Sequence, residues 1–305
     1  MSLSDLPARI ELHPVQTLTL SDAQFLRGEA VGAPTTLAAM LSLAQGGGRQ
    51  PCVLLMHGSG GIGPSIPLWV RQINAMGAAA CVLDGFSGRG LASVSQDQAR
   101  LGRLAFCLDI YRALALLAAH PLLDPARLAV LGFSRGGQGA LYAAMARFHR
   151  LWNPDGPRPV GNLAFYPDCA TRYLEDTAMI PGPIRVFHGT PDDMNPLSRA
   201  REHVERLAAA GHDAALLEYP GGHHGFDNPL SGAAARGPAQ SVRDCRIEEI
   251  EPGLLVNAAT GAPFTYDDPC VAREAHVGGH SAAGAAARAD ALAFIGRLFG
   301  LPTRS

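Results

Sequence analysis

Lysine is absent from this chain of 305 residues, because all 25 of its basic side chains are arginine. Without lysine, the chain has no Schiff-base chemistry, no pyridoxal-phosphate lysine, no Walker A phosphate loop and no serine–lysine dyad. Charged residues of either sign are also scarce, at 17% against roughly 25% in average proteins. The 27 acidic residues bring the formal net charge to -2, so the composition offers no basic surface for nucleic acid or an anionic membrane.

Long apolar runs are absent as well. None reaches the roughly 18 residues that a membrane helix needs, and the first 15 residues lack the basic and apolar regions of a signal peptide. We therefore predict a cytoplasmic protein. The six cysteines are too few for a dense disulfide framework. Cys245 and Cys270 lie in a polar stretch and could pair or stay free, and a formed bond would weigh against a reducing compartment.

Short apolar runs alternate with longer helical patterns, which is typical of βαβ units and a mostly parallel sheet covered by helices on both faces. With 47% hydrophobic residues, the chain can bury a large core. The predicted strands are Cys52–Met56, Ala79–Leu83, Leu128–Phe133, Asn162–Tyr166, Ile184–Phe187 and Ala214–Tyr219. The predicted helices are Leu68–Met76, Gln98–Ala119, Gln138–Arg150, Leu197–Ala210 and Ser281–Phe299.

These elements form one predicted α/β domain over residues 1–305, with Thr35–Leu43 as an antiparallel edge strand. Residues 229–280 interrupt the alternation with proline, glycine, asparagine and aspartate. We interpret them as a long excursion, not a second domain. The excursion could shape an entrance to the site, but a role in covering the edge of the sheet is favoured.

The strand Leu128–Phe133 runs directly into a G-x-S-x-G pattern centred on Ser134, and a helical pattern follows. This strand–turn–helix context is that of a nucleophile elbow, in which the turn exposes the serine above the sheet. A second Gly-Phe-Ser sequence contains Ser87, but Arg89 stands where the elbow needs a small residue. We therefore predict that Ser134 is the nucleophile and that Ser87 is a loop serine.

A serine nucleophile needs a base, which in turn needs an orienting carboxylate. The last strand leads into a glycine-rich loop with His223 and His224, of which His224 is the better candidate because Gly225 lets the loop turn. The preceding strand leads to Asp192, with Asp193 as the alternative. This order of serine, aspartate and histidine is the one expected of a nucleophile-elbow fold.

An oxyanion in the reaction must be met by preorganised amides. We predict that the amide of Ser59, or of Gly60, and the amide of Arg135 supply them, since both lie in loops that follow strands. Arg135 also places a permanent charge next to Ser134 in the sequence. That charge favours substrates with an acidic or polar group.

Four motifs in this order resemble those of dienelactone hydrolases: H-G-x-G-G from His57, G-F-S-x-G-G around Ser134, H-G-x-x-D ending at Asp192, and P-G-x-x-H-G-F-D ending at Asp227. The resemblance runs from about Pro51 to Asp227 and implies the α/β-hydrolase fold. It implies catalytic roles for Ser134, Asp192 and His224, with Ser59 and Arg135 as backbone donors.

The chain departs from that family at two positions. Ser134 stands where dienelactone hydrolases have a cysteine, and Gly58 stands where they carry a glutamate, so a broader carboxylesterase is the safer inference. The loop that contains Arg89 also resembles the family. We expect the substrate pocket to be formed by aromatic residues near strand ends and by this arginine, that is by Trp69, Phe86, Arg89 and Tyr166.

Two other site types fit the sequence less well. Gly58–Gly63 matches the G-x-G-x-x-G dinucleotide fingerprint, but Pro64 and Pro67 follow where its helix should begin. His276 and His280 are four residues apart with His223–His224 as further candidates, but Gly278 and Gly279 lie between them and no H-E-x-x-H motif is present. We therefore predict neither a cofactor nor a metal ion.

The predicted function is hydrolysis of small carboxylic esters or lactones through an acyl-enzyme intermediate. An amidase, a peptidase or a carbon–carbon bond hydrolase would use the same three side chains. A non-catalytic protein with the same fold is a further alternative. The expected partner is a small-molecule ester or lactone, and the oligomeric state is left open.

Overall fold

The computed structural model describes residues 6–301. Residues 1–5, which begin the segment where we predict no signal peptide, and residues 302–305 lie outside the described residues. From the amino end to Tyr219, the strands are β1 (Arg9–Thr19), β2 (Ala33–Leu43), β3 (Gln50–Met56), β4 (Ala79–Asp84), β5 (Leu123–Phe133), β6 (Asn162–Phe165), β7 (Thr171–Arg172), β8 (Ile184–Gly189) and β9 (Ala214–Tyr219).

Eight of these strands form one sheet in the order β1-β2-β4-β3-β5-β6-β8-β9. Strands β4, β3, β5, β6, β8 and β9 are mutually parallel, whereas β1 and β2 join antiparallel at one edge. The predicted α/β fold with a mostly parallel sheet is confirmed, and all six predicted parallel strands are present. The predicted edge strand lies one position inside the edge, since β1, which the sequence analysis missed, covers it.

Helices cover both faces of this sheet: α1 (Asp22–Arg27), α2 (Ile66–Ala75), α3 (Ala105–Ala118), α4 (Arg135–Tyr142), α5 (Ala146–Trp152), α6 (Leu197–Ala209) and α7 (Ser281–Phe299). Successive side chains of β3 alternate between two cores: Val53 packs with residues of α2 and α7, and Leu54 with residues of the other helices. Among residues 6–301, no helix is long and apolar enough to cross a membrane.

Two predicted helices are shorter than expected. The first predicted turn of Gln98–Ala119 is a separate 3₁₀ turn over Gln98–Arg100, and the carbonyl oxygens of Gln98, Leu101 and Gly102 accept hydrogen bonds from the side chain of Arg135. Helix α3 begins only at Ala105.

The pattern over Gln138–Arg150 divides into α4 and α5. At the break, the amide of Ala146 donates to the carbonyl oxygen of Ala178, and the carbonyl oxygen of Ala144 accepts from the amide of Ile180. A neighbouring segment thus takes the hydrogen bonds that would continue the helix.

The excursion between β9 and α7 contains four further strands, β10 (Ala235–Ser241), β11 (Ile247–Glu251), β12 (Leu254–Asn257) and β13 (Ala272–Val277). Strand β10 pairs antiparallel with β13, and β11 pairs with both β12 and β7. Cys245 and Cys270 form a disulfide bond within this segment. Glu249 of β11 forms a buried ion pair with Arg147 of α5. The excursion is therefore crosslinked within itself by the disulfide and connected to helix α5 by the ion pair.

Candidate active site

Ser134 occupies a tight turn between β5 and α4. Its backbone has φ 54° and ψ -115°, a conformation that non-glycine residues rarely adopt. The flanking glycines are required sterically: a Cβ at Gly132 would lie 1.9 Å from the carbonyl oxygen of Gly136, and one at Gly136 would lie 2.2 Å from that of Met56. The local sequence thus sets the serine apart at the carboxyl edge of the sheet.

A continuous chain of hydrogen bonds links Ser134, His224 and Asp192. The Ser134 hydroxyl lies 2.8 Å from Nε2 of His224, and Nδ1 of His224 lies 2.9 Å from Oδ2 of Asp192. Because an ionised carboxylate only accepts hydrogen bonds, Nδ1 carries the proton and Nε2 is left free to accept from the serine. The arrangement can deprotonate a serine hydroxyl.

The carboxylate of Asp192 is fully buried and held from two sides. While Oδ2 faces His224, Oδ1 accepts the amides of Met194 and Asn195, each at 2.9 Å. Nearby, His188 lies 3.6 Å from Oδ2, and burial lowers the pKa of this histidine. A neutral His188 forms no ion pair with Asp192, so the carboxylate can stabilise the charged form of His224.

The alternative acid, Asp193, does not reach His224. Its carboxylate accepts hydrogen bonds from the amide and the ring Nδ1 of His276, both at 2.8 Å. The two adjacent aspartates therefore face different partners, and the geometry separates two candidates that the sequence leaves open.

Two amides lie beside the nucleophile without a protein acceptor. Across residues 6–301, neither the amide of Ser59 nor that of Arg135 donates a hydrogen bond. The preceding residue, Gly58, approaches Ser134 so closely that a Cβ there would lie 3.2 Å from the Cβ of the serine. The loop after β3, which contains Ser59, and the turn at Ser134 thus meet where an oxyanion would form.

The side chain of Arg135 points away from this point. It is buried, and its guanidinium donates to Gln98 and to the carbonyl oxygens of Leu101 and Gly102. The expectation that this charge favours acidic substrates is therefore wrong, because the helix that starts at Arg135 directs the side chain into the protein.

The cavity above Ser134 has a volume of about 530 Å³. One wall comes from residues that precede the excursion, including Ile66, Tyr166 and Met194, and another comes from β10, β13 and Gly278, which follows β13. The excursion residues in that wall are mostly small or apolar: Ala235, Arg236, Gly237, Pro238, Ala239, Ala275, Val277 and Gly278. The excursion therefore shapes the cavity, contrary to the covering role that we favoured.

Of the four predicted pocket residues, only Tyr166 lines this cavity. Trp69 is completely buried between the sheet and α2, Phe86 packs against the ring of His57, and Arg89 forms a buried ion pair with Asp109. Phe86 follows β4 as predicted, whereas Trp69 lies within α2 and Arg89 in a 3₁₀ turn, and all three side chains turn into the protein. Ser87, the serine of the second Gly-Phe-Ser sequence, is exposed, and its hydroxyl donates a hydrogen bond to Asp84.

Asp227, which sequence reasoning left without a role, connects two of these aromatics. Its carboxylate accepts the Tyr166 hydroxyl at 2.5 Å and the Trp69 indole at 3.0 Å. Burial raises the pKa of this carboxyl. The ring of Tyr166 in turn packs edge-on at 4.7 Å against the ring of His224. The only sequence signal for Asp227 is its place at the end of the fourth motif.

The sequence profile of the dienelactone hydrolase family matches residues 37–243, which is more than half of the chain. The chain belongs to the dienelactone hydrolase family. As a member of this family, it is a hydrolase that acts on ester bonds.

The helix α2, which begins at Ile66 and not in the glycine run, also removes the geometric basis for dinucleotide binding. No curated protein matches the chain.

Several solved structures share the fold of this dienelactone hydrolase family member. A dienelactone hydrolase-like promiscuous phosphotriesterase from metagenomic libraries is 16% identical, with a TM-score of 0.60 over 95% of this chain and 99% of that one. A hyperthermophilic esterase from Pyrobaculum calidifontis is 17% identical, with a TM-score of 0.51 over 72% of this chain and 79% of that one. A thermophilic esterase from Thermogutta terrifontis is 18% identical, with a TM-score of 0.50 over 70% and 85%.

Proposed function

We propose that this protein is a serine hydrolase of small carboxylic esters or lactones. The observation that carries the proposal is the hydrogen-bonded chain from Ser134 through His224 to Asp192. His224 removes the proton from Ser134, whose Oγ attacks the ester carbonyl while the amides of Ser59 and Arg135 bind the oxyanion. The protonated His224 then gives its proton to the leaving alcohol, and the acyl group stays on the serine.

Water completes the proposed cycle. His224 takes a proton from a water molecule, the resulting hydroxide attacks the acyl-enzyme, and Ser134 leaves with the proton that His224 returns. Asp192 keeps the imidazole in the reactive tautomer throughout and stabilises its charged form. Since its other oxygen is held by two amides, the carboxylate cannot rotate away during the reaction.

The cavity supports small, largely apolar substrates. Its walls consist mainly of glycine, alanine and apolar side chains, with Arg236 as a charged residue at the excursion wall. Two solved structures of the same fold carry the name esterase. Ser134 and Gly58 replace the family's cysteine and glutamate, which favours general esters over dienelactones. Amide, peptide and carbon–carbon bond hydrolysis remain alternatives on the same three side chains.

The decisive experiment is labelling with a fluorophosphonate, followed by mapping of the modified peptide. We expect a single adduct on Ser134, and we expect Ser134→Ala to lower the hydrolysis of a p-nitrophenyl ester by about a thousandfold or more. Ser87→Ala is the matched control, because Ser87 follows the same Gly-Phe sequence but bonds to Asp84. An adduct on Ser87, or an active Ser134→Ala variant, would refute the proposal.

The location of the protein stays a prediction. The cytoplasm was expected from the sequence, but the disulfide between Cys245 and Cys270 favours an oxidising compartment, where such bonds persist. Counting free thiols in protein purified without reductant tests whether the bond is formed, since it would leave four of the six cysteines free.

A further inference from the structure

Three side chains from separate segments converge beside the loops that carry Asp192 and His224. They lie outside the proposed triad of Ser134, His224 and Asp192. Asp193 follows β8, His223 follows β9 and His276 lies on β13 of the excursion. One donor atom from each lies within 4.8 Å of the donors of the other two. None of the three takes part in the proposed hydrolysis.

The Asp193 carboxylate is already positioned by the excursion. Its Oδ1 accepts the backbone amide of His276, and its Oδ2 faces the ring Nδ1 of the same residue, each over 2.8 Å. Hydrogen bonds of this kind orient a carboxylate, and each of its oxygens keeps a further lone pair with which it can bind a metal. Arg243 lies 3.6 Å from Oδ2, but its shorter bonds go to the carbonyl oxygens of Asp193 and Glu274, so it does not depend on the carboxylate.

His223 supplies an independent observation. Its Nδ1 is buried and has no hydrogen-bond partner among the described residues, although such groups are nearly always satisfied. Its ring lies 5.3 Å from that of His276. Two imidazoles and one carboxylate are a donor set that suits Zn²⁺, which binds them at about 2.0–2.2 Å. Asp193 and His276 are about 40% exposed, and so have room to rotate onto one ion.

A second cluster, formed by Glu11, His13 and His120, lacks this capacity. The Nδ1 of His120 accepts the amide of Leu122, so in the neutral ring the proton is on Nε2, which donates to Glu11. A nitrogen that carries a proton has no lone pair for a metal. In the cluster of Asp193, His223 and His276, by contrast, Nδ1 of His223 has no hydrogen-bond partner among the described residues, and His276 donates through Nδ1, which leaves a lone pair on its Nε2.

We propose that Asp193, His223 and His276 bind one Zn²⁺ ion, with water completing the coordination. The ion would join the excursion to the two loops in which Asp192 and His224 are the neighbours of Asp193 and His223. It would thereby hold the excursion wall of the cavity against the triad. Its role is structural, and the proposal does not depend on the hydrolytic function.

The test is isothermal titration of the metal-free full-length protein with ZnCl₂, together with thermal unfolding. We expect one site, and at zinc concentrations about a hundredfold above Kd we expect a rise in Tm of about 4 °C. His276→Ala should weaken binding by about tenfold or more and abolish the rise. His13→Ala is the matched control, since it removes a histidine from the other cluster, and it should bind zinc like the unmodified protein.

Asp193→Asn guards against a folding artefact, because its amide oxygen still accepts the His276 amide. We expect it to unfold at the same temperature as the unmodified protein without zinc and to bind zinc at least about tenfold more weakly. The proposal is overturned if the unmodified protein binds no zinc, if His276→Ala and Asp193→Asn both bind zinc as tightly as the unmodified protein, or if His13→Ala abolishes zinc binding.

Discussion

Replacing Asp192 by asparagine tests the site through its hydrogen-bond geometry. Two backbone amides, from Met194 and Asn195, donate to Oδ1 of Asp192. In the variant, only the amide oxygen can accept these two donors, so the side-chain nitrogen must face His224. That nitrogen donates a hydrogen bond and forces Nδ1 of His224 to accept it.

The consequence is the wrong tautomer of His224. With Nδ1 as acceptor, the proton moves to Nε2, and the ring can no longer accept the proton of Ser134, which lies 2.8 Å away. The analogous change in a serine protease lowers kcat about ten-thousandfold with the geometry intact, which is about 5.5 kcal/mol in the barrier. We expect a loss of similar size here, because the two amides leave the asparagine no second orientation.

The assay is steady-state hydrolysis of p-nitrophenyl butyrate. Asp193→Asn in metal-free buffer is the comparison, and we expect it to lower kcat by less than about tenfold, since Asp193 contacts His276 instead of His224. Thermal unfolding should show that both variants are folded. A loss of less than about a hundredfold in Asp192→Asn, or a greater loss in Asp193→Asn, would contradict the assigned roles.

Three further predictions concern stability, each measured by urea unfolding. Burial lowers the pKa of His203 to about 4, so the folded protein keeps this histidine neutral while the unfolded chain protonates it near pH 6.5. The free energy of unfolding should therefore fall by up to about 3 kcal/mol between pH 6.5 and pH 4. In His203→Gln this fall should be smaller. Arg147→Ala leaves the buried carboxylate of Glu249 unpaired and should cost about 3–5 kcal/mol, whereas replacing both residues by methionine should cost less. Replacing Cys245 and Cys270 by serine opens a crosslink that spans 25 positions and should cost about 3 kcal/mol; an unchanged midpoint would show that the bond does not form.

The parallel strands were predictable because they form apolar runs, and in all of them except the edge strand β9 most side chains are buried. The residues of the proposed catalytic triad could be placed together from the sequence because each follows such a run, and parallel strands bring their carboxyl ends to one edge. Strand β1 was not predictable in the same way. As an edge strand it leaves Ile10 and Leu12 exposed, and Pro14 interrupts its alternation.

Side-chain direction could not be predicted from position along the chain. Arg135 is adjacent to the nucleophile, yet its guanidinium bonds to the segment before α3. Trp69 was expected near a strand end but lies within α2, and its indole donates to Asp227 from inside the protein. The contact between Asp193 and His276 joins residues 83 positions apart, and it depends on the path of the excursion, for which one sequence gives no pattern.

The wall that the excursion contributes to the cavity has a consequence for how this protein can change. Strands β10 and β13 lie outside the eight-stranded sheet, so substitutions at Ala235, Ala239 or Ala275 reshape the cavity without disturbing the layers that hold Ser134. New substrate preferences are therefore accessible through a part of the chain whose divergence leaves the catalytic scaffold intact. Directed evolution confined to that wall offers a short route to altered selectivity.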